Sequence, residues 1–143
     1  MRVDCGSDAA TIARARAIRQ AVFVIDQQID PAIEWDDLDQ KTIHFVGIDP
    51  ATTKDIATGR AFFEGDKVTL QRIAVLSDMQ GRGVGLAFVA AMIDHVRAPG
   101  VIREIHLSAQ CHAIGFYEKL GFTADGPIYH EANIPHRHMM RSL

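Results

Sequence analysis

Residues 68–93 constrain the chain more than any other stretch. They read Val-Thr-Leu-Gln-Arg-Ile-Ala-Val, then Leu-Ser-Asp-Met-Gln-Gly-Arg-Gly-Val-Gly, then Leu-Ala-Phe-Val-Ala-Ala-Met-Ile. The first part is β-branched and the last has apolar residues at helical spacing, so a strand passes through a polar connection into a helix that begins among alternating glycines. The first N–H groups of a helix have no internal partner, and the helix dipole adds partial positive charge there, which suits an anion. Gly81, Gly83 and Gly85 carry no Cβ, so a diphosphate can approach the backbone, and Arg82 offers a charged donor.

Spacing separates the kinds of phosphate loop. A P-loop requires Gly-Lys-Ser/Thr after its first glycine and four residues, and no lysine follows here. A dinucleotide fingerprint requires a third glycine three residues after the second, but Leu86 follows Gly83 and Phe88 follows Gly85 at that distance. What remains is Gln80-x-x-Gly83-x-Gly85 after Arg72-Ile73-Ala74-Val75. This resembles the Gln/Arg-x-x-Gly-x-Gly/Ala signature of the GNAT superfamily of acyl-CoA-dependent N-acyltransferases. A second segment, Gly115-Phe116-Tyr117-Glu118-Lys119-Leu120-Gly121-Phe122, resembles that family's later Phe-Tyr-x-Lys-x-Gly-Phe motif and follows in the expected order. The ends of the chain resemble an ElaA-like bacterial subgroup, through Ile18-Arg19-x-x-Val22-Phe23-Val24, Glu34-x-Asp36-x-x-Asp39, His44-Phe45 and Ile134-Pro135-His136-x-x-Met139.

The remaining periodicity predicts a strand over residues 1–5 and a helix over 8–25, with Ile12, Ala15, Ile18, Val22 and Ile25 facing the core. Strands are expected at 41–48, 55–64 and 67–75, the last two joined by a turn at Gly65-Asp66. A helix follows over 84–97, with Leu86, Val89, Ala90, Ile93 and Val96 inward. Then come a strand at 101–109, a short helix at 111–120, a strand opening at 122–124 and a last strand at 134–142. This is an α+β fold in one domain over residues 1–143, a mixed and mostly antiparallel sheet flanked by helices. The resemblance adds that the parallel pair, residues 67–75 and 101–109, is splayed.

With 143 residues, 48% of them hydrophobic and 23% charged, one core is expected. A net charge of −3 with no basic run gives no support for binding nucleic acid, and so argues against a toxin-like acetyltransferase acting on aminoacyl-tRNA. No apolar run reaches the length of a membrane span, and the expected location is the cytoplasm. Cys5 and Cys111 are read as small, free, buried residues. The acidic residues 34–39 around Trp35 form either a solvated loop or a wall for a cationic amine. His136 and His138 share a strand face and, with His130, invite a metal reading, but no cysteine or acidic cluster stands at ligand spacing and no metal is expected.

The resemblance implies acetyl-CoA as cosubstrate and a primary amine as acceptor, with direct acyl transfer in a ternary complex by an enzyme moving groups other than aminoacyl groups. The pantetheine arm would lie along Ile73, Ala74 and Val75, a backbone N–H near Ile73 or Ala74 would polarise the thioester carbonyl, and Gln80, Gly81, Arg82, Gly83, Val84 and Gly85 would hold the pyrophosphate. Tyr117 stands where the family protonates the departing sulfur; a phenol titrates near ~10 and so keeps its proton at neutral pH. Where many relatives have a glutamate base, this chain has Gln71, which can orient water but cannot take a proton. The base is then Glu34, Asp36, Asp37 or His44, or the amine arrives neutral. A non-catalytic acyl-CoA-binding or interaction module is the alternative from another class, and a homodimer is compatible with the sequence, which does not specify the oligomeric state.

Overall fold

A computed structural model describes residues 1–143, the side chain of Ile33 excepted. The chain runs β1 (Arg2–Gly6), α1 (Ala9–Arg19), a π-helical turn (Gln20–Asp26), α2 (Pro31–Glu34), a 3₁₀ turn (Asp37–Lys41), β2 (Ile43–Ile48), β3 (Asp55–Glu64) and β4 (Lys67–Val75). It continues through a 3₁₀ turn (Ser77–Met79), α3 (Val84–Arg97), β5 (Glu104–Gln110), a 3₁₀ turn (Cys111–Ala113), α4 (Ile114–Glu118), β6 (Thr123–Glu131) and β7 (Ile134–Ser142). One sheet of order β1-β2-β3-β4-β5-β7-β6 results. Every pairing is antiparallel except β4–β5. The exception has a simple cause: a fourteen-residue helix lies between those two strands, and a helical crossover returns the chain in its original direction. The mostly antiparallel α+β sheet expected from the sequence is the observed fold.

The sheet carries a core on each face. Phe88, Val89, Met92, Ile93 and Val96 of α3 pack with Phe45, Leu70, Ile105 and Leu107. Ala15, Ile18, Val22 and Phe23 pack with Val46 and Ala74 on the other face. Burying a side chain such as Phe88 contributes about 1.5–3 kcal/mol. Close packing makes a glycine necessary at position 47, because a Cβ there would lie 2.8 Å from the Phe88 ring and 3.2 Å from the Ala57 methyl. Gly47→Ala should therefore lower stability by about 1–3 kcal/mol, measured by denaturant unfolding, because a fully buried ring cannot give way.

Four local expectations need correction. The first helix continues to Asp26, but its last seven residues wind as a π turn, in which the N–H of Gln27 donates to the carbonyl of Val22 at 3.0 Å. The wider winding turns Phe23 inward and leaves Ile25 63% exposed. β5 starts at Glu104 rather than at 101, because the Arg103 N–H donates to Asp66 at 2.7 Å and the Arg103 carbonyl accepts from Leu143. β6 extends to Glu131, through Gly126-Pro127, because it is an edge strand with a ladder irregularity between Asp125 and Tyr129, a setting that tolerates proline. Cys5 is exposed and Cys111 half-buried, so neither is the buried packing residue expected, although both thiols are free.

Candidate active site

β4 and β5 pair only from Lys67–Glu104 to Leu70–Leu107. Beyond that point β4 bends away. Thr58 opposes Ala74 and Arg60 opposes Gln71, so Gly59 alone faces both Arg72 and Ile73. The extra residue is a bulge, and it puts Arg72 at φ +53°, a left-handed conformation that costs a non-glycine residue roughly 1–2 kcal/mol. The result is a cleft of about 550 Å³ between the strand ends, lined by Gln71 to Val75 on one side, Ser108 and Gln110 on the other, and Tyr117 and His136. On their cleft side, the backbone groups of residues 71–75 have no strand partner.

At one end of β4 the chain turns through residues 76–83 into α3. Gly81 and Gly83 adopt φ +78° and +77°, and no atom lies within 4 Å of where their Cβ atoms would be, so these positions need glycine for conformation and leave open space above the backbone. Gly85 is different. A Cβ there would meet the Phe116 ring at 3.1 Å, so its role is the packing of α3 on α4. Gln80 donates from Nε2 to the Val75 carbonyl at 3.0 Å, tying the turn to the strand end, while Arg82 is exposed. α3 has no side-chain cap at its N-terminus and no acid in its first turn, which leaves its first N–H groups available to an anion. Gly83→Ala should cost about 1–2 kcal/mol of stability, read by thermal unfolding.

The acidic segment, expected as a solvated loop or a wall for a cationic amine, is not a solvated loop, and its Glu34 and Asp36 line the cleft. Asp39 is 1% exposed and Glu34 3%, and both are paired with guanidinium groups. Arg19 donates from Nε to Glu34 at 2.5 Å and from Nη1 to Asp39 at 2.6 Å. Arg16 reaches Asp39 at 2.8 Å, and Arg60 joins Asp39 and Asp36 at 2.8 and 2.7 Å. Arg72, held at the bulge, lies 3.1 Å from Glu34 and 3.2 Å from Asp36. Trp35 caps the group, with the Arg19 and Arg16 guanidinium carbons 5.2 and 5.7 Å from its ring centre. Four arginines thus surround three carboxylates. Burial alone would push the Asp39 carboxyl upward, but hydrogen bonds from Arg16 and Arg19 outweigh it and hold the group well below the usual carboxylate range.

Gln71 is occupied as well, since its Oε1 accepts from Arg60 Nε at 2.8 Å. His44 is fully buried behind the cluster; its Nε2–H donates to the Asp39 carbonyl at 2.8 Å, and burial lowers its pKa, so the ring is neutral. Tyr117 sits on α4 with Phe116 and Phe122 packed edge-on at 4.9 and 6.0 Å. Burial raises the Tyr117 pKa, which keeps the phenol protonated throughout the neutral range. Gln27 and Gln110 exchange hydrogen bonds across the end of the cleft at 2.9 and 3.4 Å.

A parted parallel strand pair with a glycine turn at its mouth is the geometry that the family comparison explains. The acetyltransferase (GNAT) domain profile matches residues 17–143. The chain belongs to the GNAT family. Among its relatives, ElaA of Escherichia coli is 28% identical over 130 residues, covering 88% of this chain and 84% of ElaA. The ElaA likeness seen at the chain ends is therefore shared along most of the GNAT domain. The crystal structure of an acyl-CoA N-acyltransferase from Pseudomonas aeruginosa superposes with a TM-score of 0.85 at 25% identity, covering 98% of each chain. An aminoglycoside 6′-N-acetyltransferase solved with coenzyme A shares the fold at a TM-score of 0.70 and 14% identity, over 99% and 97% of the two chains. These relations support an acyl-CoA N-acetyltransferase in general terms. The profile does not name the acceptor.

Within this GNAT chain the structure brings Gln71, Ile73, Ala74, Val75, Gln80, Glu34 and Tyr117 to one cleft. Gly81 to Gly85 lie at the α3 end of the turn that follows β4. Asp37 is exposed on the 3₁₀ turn and is not among the cleft-lining residues. Sequence reasoning missed Arg19 and Arg60 as partners of the acids, and considered His136 only for metal. The signal for Arg19 was present, as a charged residue inside an otherwise apolar helical face, next to Ile18.

Proposed function

We propose that this protein transfers an acetyl group from acetyl-CoA to a primary amine by direct attack in a ternary complex. The observation that carries this reading is the parting of β4 from β5 at the Arg72 bulge, with Tyr117 on one wall and the Gly81-Arg82-Gly83 turn beyond the strand end. In this reading the free backbone groups of Ile73 to Val75 pair with the pantetheine amides, as an added strand would. The N–H groups of residues 81–85 and the Arg82 side chain hold the pyrophosphate. A backbone N–H at Ile73 or Ala74 polarises the thioester carbonyl, and Tyr117 gives its proton to the leaving sulfur.

Both reactants meet from opposite faces of the sheet. The α3–α4 face presents Tyr117 and the glycine turn; the α1 face presents Val22, Phe23, Gln71 and His136. Holding amine and thioester at contact distance supplies much of the rate gain. The test is calorimetry with coenzyme A, followed by thiol release from acetyl-CoA over a panel of small primary amines. Micromolar binding with turnover for at least one amine supports the reading. Binding without turnover identifies a non-catalytic acyl-CoA module, and absence of binding overturns both.

A further inference from the structure

Resting on that acyl-transfer reading, we propose that His136 is the general base that takes the proton from the attacking amine. The cleft is lined by three carboxylates, Glu34, Asp36 and Glu131. Glu34 and Asp36 are each held by two arginines, and Gln71 has no proton-accepting chemistry at neutral pH. His136 is in a different condition. It is 8% exposed, lines the cleft from β7, and its Nδ1 lies 2.7 Å from the carbonyl oxygen of Ile134. A carbonyl only accepts, so Nδ1 must carry the hydrogen, and in the neutral ring the lone pair then resides on Nε2. The Tyr129 ring lies nearly parallel to the His136 ring, with ring centres 6.2 Å apart. Glu131 Oε2 lies 3.9 Å from Nε2, close enough to stabilise the imidazolium once a proton arrives.

His136 shares the cleft lining with Arg60, Arg72, Glu34 and Asp36, which pair with one another. From β6 it faces Tyr129 and Glu131 and from β5 Gln110, to which His112 of the following turn is bonded at 2.7 Å; that turn also packs against β7. His138, two residues along its own strand, is hydrogen-bonded to His106 and Asp125. Glu131 is thus the one carboxylate contacting His136 among the described residues.

The step balances as follows. The neutral amine attacks the thioester carbon, forming the C–N bond while the carbonyl electron pair moves to oxygen. Nε2 of His136 takes the proton that the nitrogen must lose. The oxyanion collapses, the C–S bond breaks with its electron pair on sulfur, and the sulfur takes the Tyr117 proton. Return of the His136 proton to the Tyr117 phenolate through solvent resets the site, and the net products are amide and free thiol.

The experiment compares the pH dependence of kcat/KM for wild type, His136→Asn and Glu131→Gln, with acetyl-CoA and the best acceptor from the primary-amine panel. Asparagine places an amide N–H where Nδ1 stood and so retains the donation to Ile134, but it cannot take a proton. Expected for His136→Asn are a fall of about 10²-fold in kcat/KM near neutrality and loss of the ascending limb of the profile, with acetyl-CoA affinity unchanged by calorimetry. Glu131→Gln should lower kcat/KM a few-fold, because the imidazolium formed in the step loses its anionic neighbour. An ascending limb retained in His136→Asn overturns the assignment while leaving acyl transfer in place. Should His136→Asn fail to fold, His136→Gln, equally unable to take a proton, decides, and a retained ascending limb refutes the proposal. Wild-type protein that binds acetyl-CoA yet acylates no amine removes the acyl-transfer reading and this assignment with it.

Discussion

Asp39→Ala is expected to lower the unfolding free energy by about 3–5 kcal/mol. Asp39 is 1% exposed and accepts from Arg16, Arg19 and Arg60; Arg19 and Arg60 are themselves 1% exposed. Removing the carboxylate leaves two buried guanidinium groups short of a counter-charge, and desolvation is then no longer offset. A pair such as Arg14 with Asp55, whose side chains are 33% and 31% exposed, makes a useful contrast. Solvent screens it, and Asp55→Asn should cost under about 1 kcal/mol. Urea unfolding of the two variants beside wild type measures both; equal losses would show that burial of the cluster contributes nothing special.

The same cluster sets the response to acid. The folded-state pKa of Asp39 is depressed, and those of Asp36 and Asp55 are lowered too. For Asp55 the cause is the Arg14 hydrogen bond; for Asp36, burial pushes upward and the bonds from Arg60 and Leu38 outweigh it. A depressed carboxylate contributes stability above its unfolded value, near ~3.9, and loses that contribution as pH falls through the folded value. Stability should therefore hold at mildly acidic pH and fall steeply below ~4. In Asp39→Asn that acid slope should be shallower, because one linked proton is gone.

Tyr117→Phe is expected to lower kcat by about 10²–10³-fold while leaving coenzyme A affinity within about two-fold. The substitution removes one oxygen from a ring that is 9% exposed and keeps the edge-on packing with Phe116 and Phe122. In the proposed mechanism what disappears is the proton for the departing sulfur, and general acids of this kind contribute about 10²–10⁴-fold. Steady-state kinetics with the best amine, beside calorimetry, separates the two effects. A variant with unchanged kcat would show that water protonates the thiolate and that Tyr117 only packs.

Much of the fold was legible because its causes are local. Alternation produced the strands at 43–48, 55–64 and 67–75, and the Gly65-Asp66 turn joined the last two. The crossover through residues 84–97 made the parallel pair inevitable. The glycine turn was legible for the same reason, since Gly81 and Gly83 answer to backbone conformation at their own positions. Where periodicity failed, a longer-range contact decided. Ile25 fits the helical stripe in sequence but faces solvent, because a π turn rotates the chain after Gln20. Residues 101–103 fit a strand but stay outside it, Arg103 being bonded to Asp66 and Leu143.

The sequence by itself determined a strand, a glycine turn and a helix in the order that can grip an anion, a tyrosine in a second motif, and an amide at a position where a carboxylate was expected. Those are consequences of residue type and short spacing. Only the tertiary structure decided the condition of each acid and base. Charge pairing acts between side chains more than ten residues apart, so nothing in the local pattern around Glu34 or Asp39 announced Arg19 and Arg60. Hydrogen-bond direction decided the rest: a backbone carbonyl at Ile134 holds the proton of His136 on Nδ1, in a ring that lines the cleft.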